Sequence, residues 1–252
     1  MLLFLVKTLL QMFHNLLTPV NSDLFIMFAA VLAVSSANYC YNDVTNACGP
    51  TESASDLANC NAQFSAFRGV SSDLHAYANS HIMQSYEYLL MATHFGNYQQ
   101  NRDGFAKLFR KLSDDTWAKS IDLIKYITKR GGRMDFNARK PIADKEPVAD
   151  NKKSVDRTYE LNELGSMAKA LDQQKVLAEE AHKIHGEVTR RSTLYHDPQV
   201  GHYLEEEFMN EQADTIRTLA GHTNDLKRLI KEQPNDKSLA LFLFDEYLSK
   251  LG

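Results

Sequence analysis

The stretch FAKLFRKLSDDTWAKSIDLIKYITKRGGR, residues 105–133, decides how this chain folds. Phe105, Leu108, Leu112, Leu123 and Tyr126 recur at helical spacing and share one face. Thr116 and Lys119 stand on the same stripe and interrupt it. A purely apolar interior would not accept an ammonium group there. The spacing therefore predicts a helix, ended by Gly131-Gly132, whose inward face meets something polar inside a bundle.

Upstream, Ser71-Ser72-Asp73 offers N-cap chemistry for a first helix running to about Phe95. Its stripe is Leu74, Ala78, His81, Ser85, Tyr88, Ala92 and Phe95. Downstream, residues 133–156 show no periodicity and contain Pro141 and Pro147. A connection this long can carry the chain from one end of a bundle to the other, making the second and third helices parallel. The third helix spans about Thr158 to Val188, with Leu161, Leu164, Met167, Ala168, Leu171, Ala178 and Ala181 inward. Asp197-Pro198 reads as an N-cap with proline at the first helical position. It opens a fourth helix to about Ile230, with Leu204, Phe208, Thr215, Leu219 and Leu226 inward. After Pro234 a fifth helix, Ser238 to Leu251, is short and strongly apolar, and is expected to bury itself between subunits. The fold class is all-α: a four-helix bundle with one long crossover and a short C-terminal helix.

Composition agrees. The chain has 252 residues, 44% hydrophobic and 24% charged, enough for one domain with a sizeable core. A net charge of -4 gives no basic footprint, which argues against nucleic acid as a partner. The N-terminus departs from the rest. Two apolar runs end at Val34-Ser35-Ser36-Ala37, and small residues at Ser35 and Ala37 fit a signal-peptidase site after Ala37. The second run is about half the roughly 20 residues a membrane helix needs, so a secreted chain with no membrane span after cleavage is expected. Residues 1–37 are then the signal, 38–70 a cysteine-bearing extension, and 71–252 the helical domain. All three cysteines, Cys40, Cys48 and Cys60, lie in the extension. Cys40 and Cys48 could close a short loop and leave an odd thiol for a bridge to another subunit, but spacing alone does not fix the pairing.

Particular strings carry a family resemblance. Tyr86-Glu87-Tyr88-Leu89 and Met91 resemble the first helix of ferritins, and FAKLF at 105–109 and KRGGR at 129–133 the two ends of their second. Asp197-Pro198 and Met209-Asn210-Glu211-Gln212 resemble the fourth helix, and LALFLFDEYL at 239–248 the tail helix. With its signal and cysteine-bearing extension, the chain is most similar to the secreted insect ferritins of light-chain type.

The resemblance implies a 24-subunit shell around a ferric mineral, built from copies of this chain and heavy-chain subunits that oxidise the iron. The family's paired-iron centre would fall on His81, Thr116 and Lys119, with Tyr88 and Gln212 kept. Its third-helix carboxylate falls on Leu171 or Asp172. Hard oxygen ligands and imidazole suit iron, whereas a hydroxyl is a poor ligand and a lysine repels cations. No ferroxidase centre is expected, and His81, Tyr88 and Gln212 remain as residual polar groups. Lys119 is expected to bridge Glu211 or Asp172 in place of a metal. Asp114 and Asp115 fall where light-type chains carry cavity-facing carboxylates that seed mineral. His182, His202 and Glu205 match positions lining the family's three-fold channels. Leu239, Leu243 and Tyr247 match positions facing the pore between subunits. Two other readings compete: a working ferroxidase with remodelled ligands, and a secreted helical-bundle signalling ligand.

Overall fold

The computed structural model describes residues 40, 41, 44, 60–138 and 162–251. The signal segment, Cys48, Leu161 and most of the crossover lie outside the described residues. From Cys60 onward the chain is one compact helical body. Its elements are α1 (Phe67–Phe95), α2 (Asp103–Lys129), α3 (Glu163–Thr189), α4 (Pro198–Leu204), a π-turn (Glu205–Met209), α5 (Asn210–Glu232) and α6 (Lys237–Ser249). The segment from α4 through the π-turn to α5 forms the fourth bundle helix. No strand occurs among the described residues.

α1 starts four residues before the expected Ser71 cap. Its N-cap is Ala66, and no side chain caps it. The reason is burial: Phe67 and Val70 are fully enclosed and extend the inward stripe by one turn. The helical body therefore begins ahead of the 71–252 boundary. α2 ends as its glycines suggest. Gly131 adopts φ +76, a left-handed conformation that suits glycine, and the Gly132 N–H donates to Ile127 O at 2.9 Å.

α1 and α2 are antiparallel: Phe95, near the α1 end, stacks on Phe109 near the α2 start. α2 and α3 are parallel: Arg102 at the head of α2 pairs with Glu163 at the head of α3, 3.2 Å apart. The described ends of the crossover fit that path, with Asn162 capping α3 through the Gly165 N–H. Two apolar clusters fill the interior. One gathers Phe67, Val70, Leu74, Tyr77, Leu123, Ile127, Val188, Leu204 and Phe208. The other gathers Tyr88, Phe95, Phe105, Phe109, Met167, Leu219, Leu226 and Phe244. Between them runs a belt of buried polar side chains: His81, Ser85, Ser113, Thr116, Gln174 and Gln212.

α6 is built into the bundle by one of its faces. Ala240, Phe244 and Leu248 bury one of its faces against the bundle. Asp245 accepts the Phe105 N–H at 3.0 Å and so caps the N-terminus of α2 from another helix. Its backbone comes so close that a Cβ at Gly104 would lie 2.0 Å from Asp245 O. The opposite face, with Leu239, Leu243 and Tyr247, stays about half exposed. Cys40 and Cys60 are each disulfide-bonded, so Cys60 is not the leftover thiol that a Cys40–Cys48 loop would have made it.

Candidate functional site: a polar cavity closed by a lysine

The polar belt opens onto a cavity of about 40 Å³. That exceeds the roughly 10–15 Å³ one water needs. His81 of α1, Asp115, Thr116 and Lys119 of α2, Gln174 of α3, and Phe208, Glu211 and Gln212 of the fourth helix line it. All four bundle helices therefore contribute, as the interrupted stripe of α2 suggested.

His81 is enclosed, with Tyr77 and Phe208 edge-on to its ring at 4.4 and 5.4 Å between centroids. Its Nδ1–H donates to Tyr77 O at 3.0 Å, which leaves Nε2 carrying the lone pair. Burial pushes its pKa down to about 4; the hydrogen bond to Tyr77 opposes that shift, and the nearby Lys119 charge adds to it. His81 is therefore neutral at physiological pH. Gln212 donates from Nε2 to the Tyr77 hydroxyl at 2.8 Å, while its Oε1 is buried without a partner.

Lys119 supplies the cavity's positive charge. Its Nζ lies 2.5 Å from Glu211 Oε2 and 4.0 Å from Glu207 Oε2. It also donates to Glu207 O at 2.7 Å, inside the π-turn. A side chain inserted into the backbone ladder is a recognised cause of such a wide turn. Of the two expected partners, Glu211 is the one Lys119 meets. The bridge is not deeply buried, however: the lysine side chain is 23% exposed and the glutamate 53%.

Several expected positions move. Neither Leu171 nor Asp172 reaches the cavity: Leu171 packs on the second apolar cluster and Asp172 is exposed. Gln174 occupies the third-helix position instead, because the inward face of α3 runs Met167, Ala170, Gln174, Leu177. Leu177 thus takes the core place expected of Ala178, which is only half-buried. Tyr88 is buried in the second cluster, where its hydroxyl donates to Ala170 O at 3.2 Å, and it does not line the cavity. Tyr77 is the phenol that contacts Gln212. It was absent from the expected stripe because the step from Leu74 to Ala78 passed over it.

The two aspartates are not equivalent. Asp114 is exposed and engaged by Arg110 Nε at 2.9 Å. Asp115, though also exposed, borders the cavity; partial burial raises its pKa, Lys111 and Lys119 oppose that, and Glu211 and Asp114 reinforce it. His202 and Glu205 meet other residues than each other. His202 Nε2 meets Glu206 at 3.1 Å, an i,i+4 spacing that is ordinary on a helix. Glu205 meets His185 of α3 instead, at 2.6 Å. His182 is exposed on α3. Among the described residues no group of three or more His, Cys, Asp or Glu side chains could hold a metal ion.

A helical bundle with a polar belt at mid-height is compatible with several families; sequence comparison decides between them. The family profile for the ferritin-like domain matches residues 72–229. The chain belongs to the ferritin family. It is 47% identical over 234 residues to a ferritin light chain of Trichoplusia ni, covering 90% of this chain and 98% of that one. A ferritin light chain of Drosophila melanogaster is 40% identical over 227 residues, covering 90% and 96%. Among solved structures, the Trichoplusia ni secreted ferritin superposes with a TM-score of 0.74 at 49% identity, covering 85% of this chain and 99% of that one. The cavity residues from His81 to Gln212 all lie inside the ferritin-like region.

Proposed function

We propose that this chain is a non-catalytic, light-type subunit of a secreted iron-storage shell. The observation that carries the reading is Lys119: its ammonium is tied to Glu211 and to the Glu207 carbonyl at the polar mid-height of the bundle. A pair of iron ions there would need anions facing them, and the lysine offers a fixed cation instead. Thr116 adds only a hydroxyl. Of the two carboxylates lining the cavity Glu211 is held by Lys119, and Asp115 with the His81 lone pair and the Gln212 amide oxygen leaves too few donors for a dinuclear site.

Membership of the ferritin family and the light-chain names of the relatives support the remaining roles. Iron is cargo, stored as a ferric mineral. Heavy-chain subunits in a mixed 24-subunit shell supply oxidation. Asp115, with Asp114 beside it, supports mineral nucleation from the inner face. His182, His202 and Glu205 stand near a channel, and Leu239, Leu243 and Tyr247 pack against neighbouring copies. Export through a signal in residues 1–37 is consistent with the secreted ferritin it resembles and with disulfide-bonded Cys40 and Cys60.

Stopped-flow iron oxidation by shells of this chain alone tests the reading. Expected is slow oxidation without a rapid phase, accelerated when heavy-chain subunits are co-assembled. A rapid phase consuming two ferrous ions per chain would overturn it and restore the ferroxidase reading.

A further inference from the structure

We propose that the end of the bundle where α1 begins and α2 and α3 finish binds a sulfated polysaccharide. Three segments are fastened together there. Gln63 donates to Gly131 O at 2.9 Å and accepts from Arg68 at 3.2 Å. Ser65 donates to His196 O at 3.1 Å, and a Cβ at Gly69 would lie 2.2 Å from Leu194 O. On this joined surface stand Arg68, Lys129, Arg133, Arg190 and Arg191, all exposed. Arg190 pairs with Glu187 at 3.0 Å. The side chains of Lys129, Arg133 and Arg191 meet no carboxylate among the described residues. Exposed Phe64, Leu194 and Tyr195 belong to the same joined segments, one face of Phe64 being covered by the Arg130 guanidinium at 4.0 Å.

The helix dipoles of α2 and α3 account for cations near their C-termini. They do not account for Arg68, which sits in the first turn of α1, where the dipole disfavours positive charge. Guanidinium groups fork onto the oxygens of a sulfate. Exposed aromatic rings offer faces on which sugar rings stack. The chain as a whole is acidic at -4, so the patch is a local feature and not the broad basic field of a nucleic-acid binder. A sulfated matrix polysaccharide is the polyanion a chain meets outside the cell, so the biological setting rests on the secretion proposed above. The binding itself does not.

The test uses the assembled full-chain particle on immobilised heparin under a rising sodium chloride gradient. Expected is retention that collapses in the combined Arg68→Ser, Arg133→Ser, Arg191→Ser variant, with the slope of log K against log salt falling by about 2–3. The control carries Arg110→Ser, Arg217→Ser and Arg228→Ser, which remove the same charge elsewhere and should leave retention unchanged. Particle size and thermal unfolding establish that both variants assemble. Equal loss in both triple variants, retention unaffected by either, or equal affinity for desulfated heparin would overturn the proposal. So would tighter binding to duplex DNA or to phosphatidylserine vesicles than to heparin. Because retention is read in vitro, a chain that binds heparin but is not exported would sink only the secretion reading.

Discussion

Two cation–carboxylate pairs stand on the inward side of this bundle, and they differ in almost every physical respect. Arg130 and Asp197 are 2.8 Å apart, with side chains 3% and 0% exposed. The guanidinium lies between Phe64 and Phe67, 4.0 and 5.0 Å from their ring centroids. It also donates to Phe64 O, to the Tyr126 hydroxyl and to Gln199. Burial works against its charge, yet the hydrogen bonds to Asp197 and Tyr126 hold its pKa above the ordinary value. Lys119 and Glu211 stand in a partly open cavity beside a backbone carbonyl. The first pair joins α2, the start of α4 and the segment leading into α1. The second lines the polar cavity at the middle of the bundle. A buried pair held by several hydrogen bonds is a structural joint, whereas a half-solvated one can be exchanged without unfolding the bundle.

Arg130→Ala gives the largest expected effect. It leaves Asp197 buried without its counterion and should cost about 3–5 kcal/mol in denaturant unfolding. Replacing both partners with apolar residues of similar volume should recover most of that loss. If Arg130→Ala costs no more than removal of Lys119, the contrast between the two pairs is wrong.

Acid titration probes the cavity from its other side. Unfolded His81 titrates near 6.5, and folded His81 near 4. Its depressed pKa means the unfolded state takes up the proton first as pH falls. Stability tied to neutral His81 is thus complete above about pH 6.5 and declines until pH passes about 4. The limit is on the order of 3 kcal/mol for one group. Unfolding midpoints measured from pH 7 to 4 should show this decline, and His81→Gln should flatten it. An unchanged pH dependence in that variant would mean His81 is not held neutral.

Lys119→Met should cost about 1–2 kcal/mol, because water already screens its half-exposed glutamate partner. Thermal unfolding of the assembled shell would show whether the loss stays well below that of Arg130→Ala. The π-turn adds a structural readout: without Nζ on Glu207 O, residues 205–209 should relax toward ordinary α-helical hydrogen bonding.

Much of this contrast could be read from residue order, but not all of it. Lys119 was visible because it breaks a 3.6-residue apolar stripe on α2. Arg130 was not, because Lys-Arg-Gly-Gly-Arg reads as an ordinary basic helix end. Its burial depends on Phe64 and Asp197, which are distant in sequence. The polar belt was half visible, with His81 and Thr116 on their stripes. Gln174 was lost because the inward stripe read for the third helix ran through Leu171, and the resemblance left Leu171 or Asp172 for the carboxylate, while the observed inward face runs through Ala170 and Gln174. The π-turn left no trace in spacing, and neither did the cross-helix contact of Glu205 with His185. α6 was judged from its apolar content alone, and that concealed Asp245, whose value lies in the α2 N-terminus it caps.

The smallest effect on stability, and the finest test of the contrast, concerns the neighbouring aspartates. Asp114 is already satisfied by Arg110, an exposed pair worth little. Asp115 faces the cavity and shares the neighbourhood of Glu211 and Lys119. Asp114→Asn and Asp115→Asn should each change unfolding by no more than about 0.5 kcal/mol. Mineral growth in shells co-assembled with heavy chains should distinguish them. Asp115 makes no direct ion pair among the described residues, although Lys111 and Lys119 lie near it, whereas Asp114 is held by Arg110. Asp115→Asn should therefore slow core formation measurably, by about twofold, and Asp114→Asn should not. Equal slowing would show that the Arg110 pair opens freely in solution, making the two carboxylates one site. No slowing in either would move nucleation away from this part of α2 altogether.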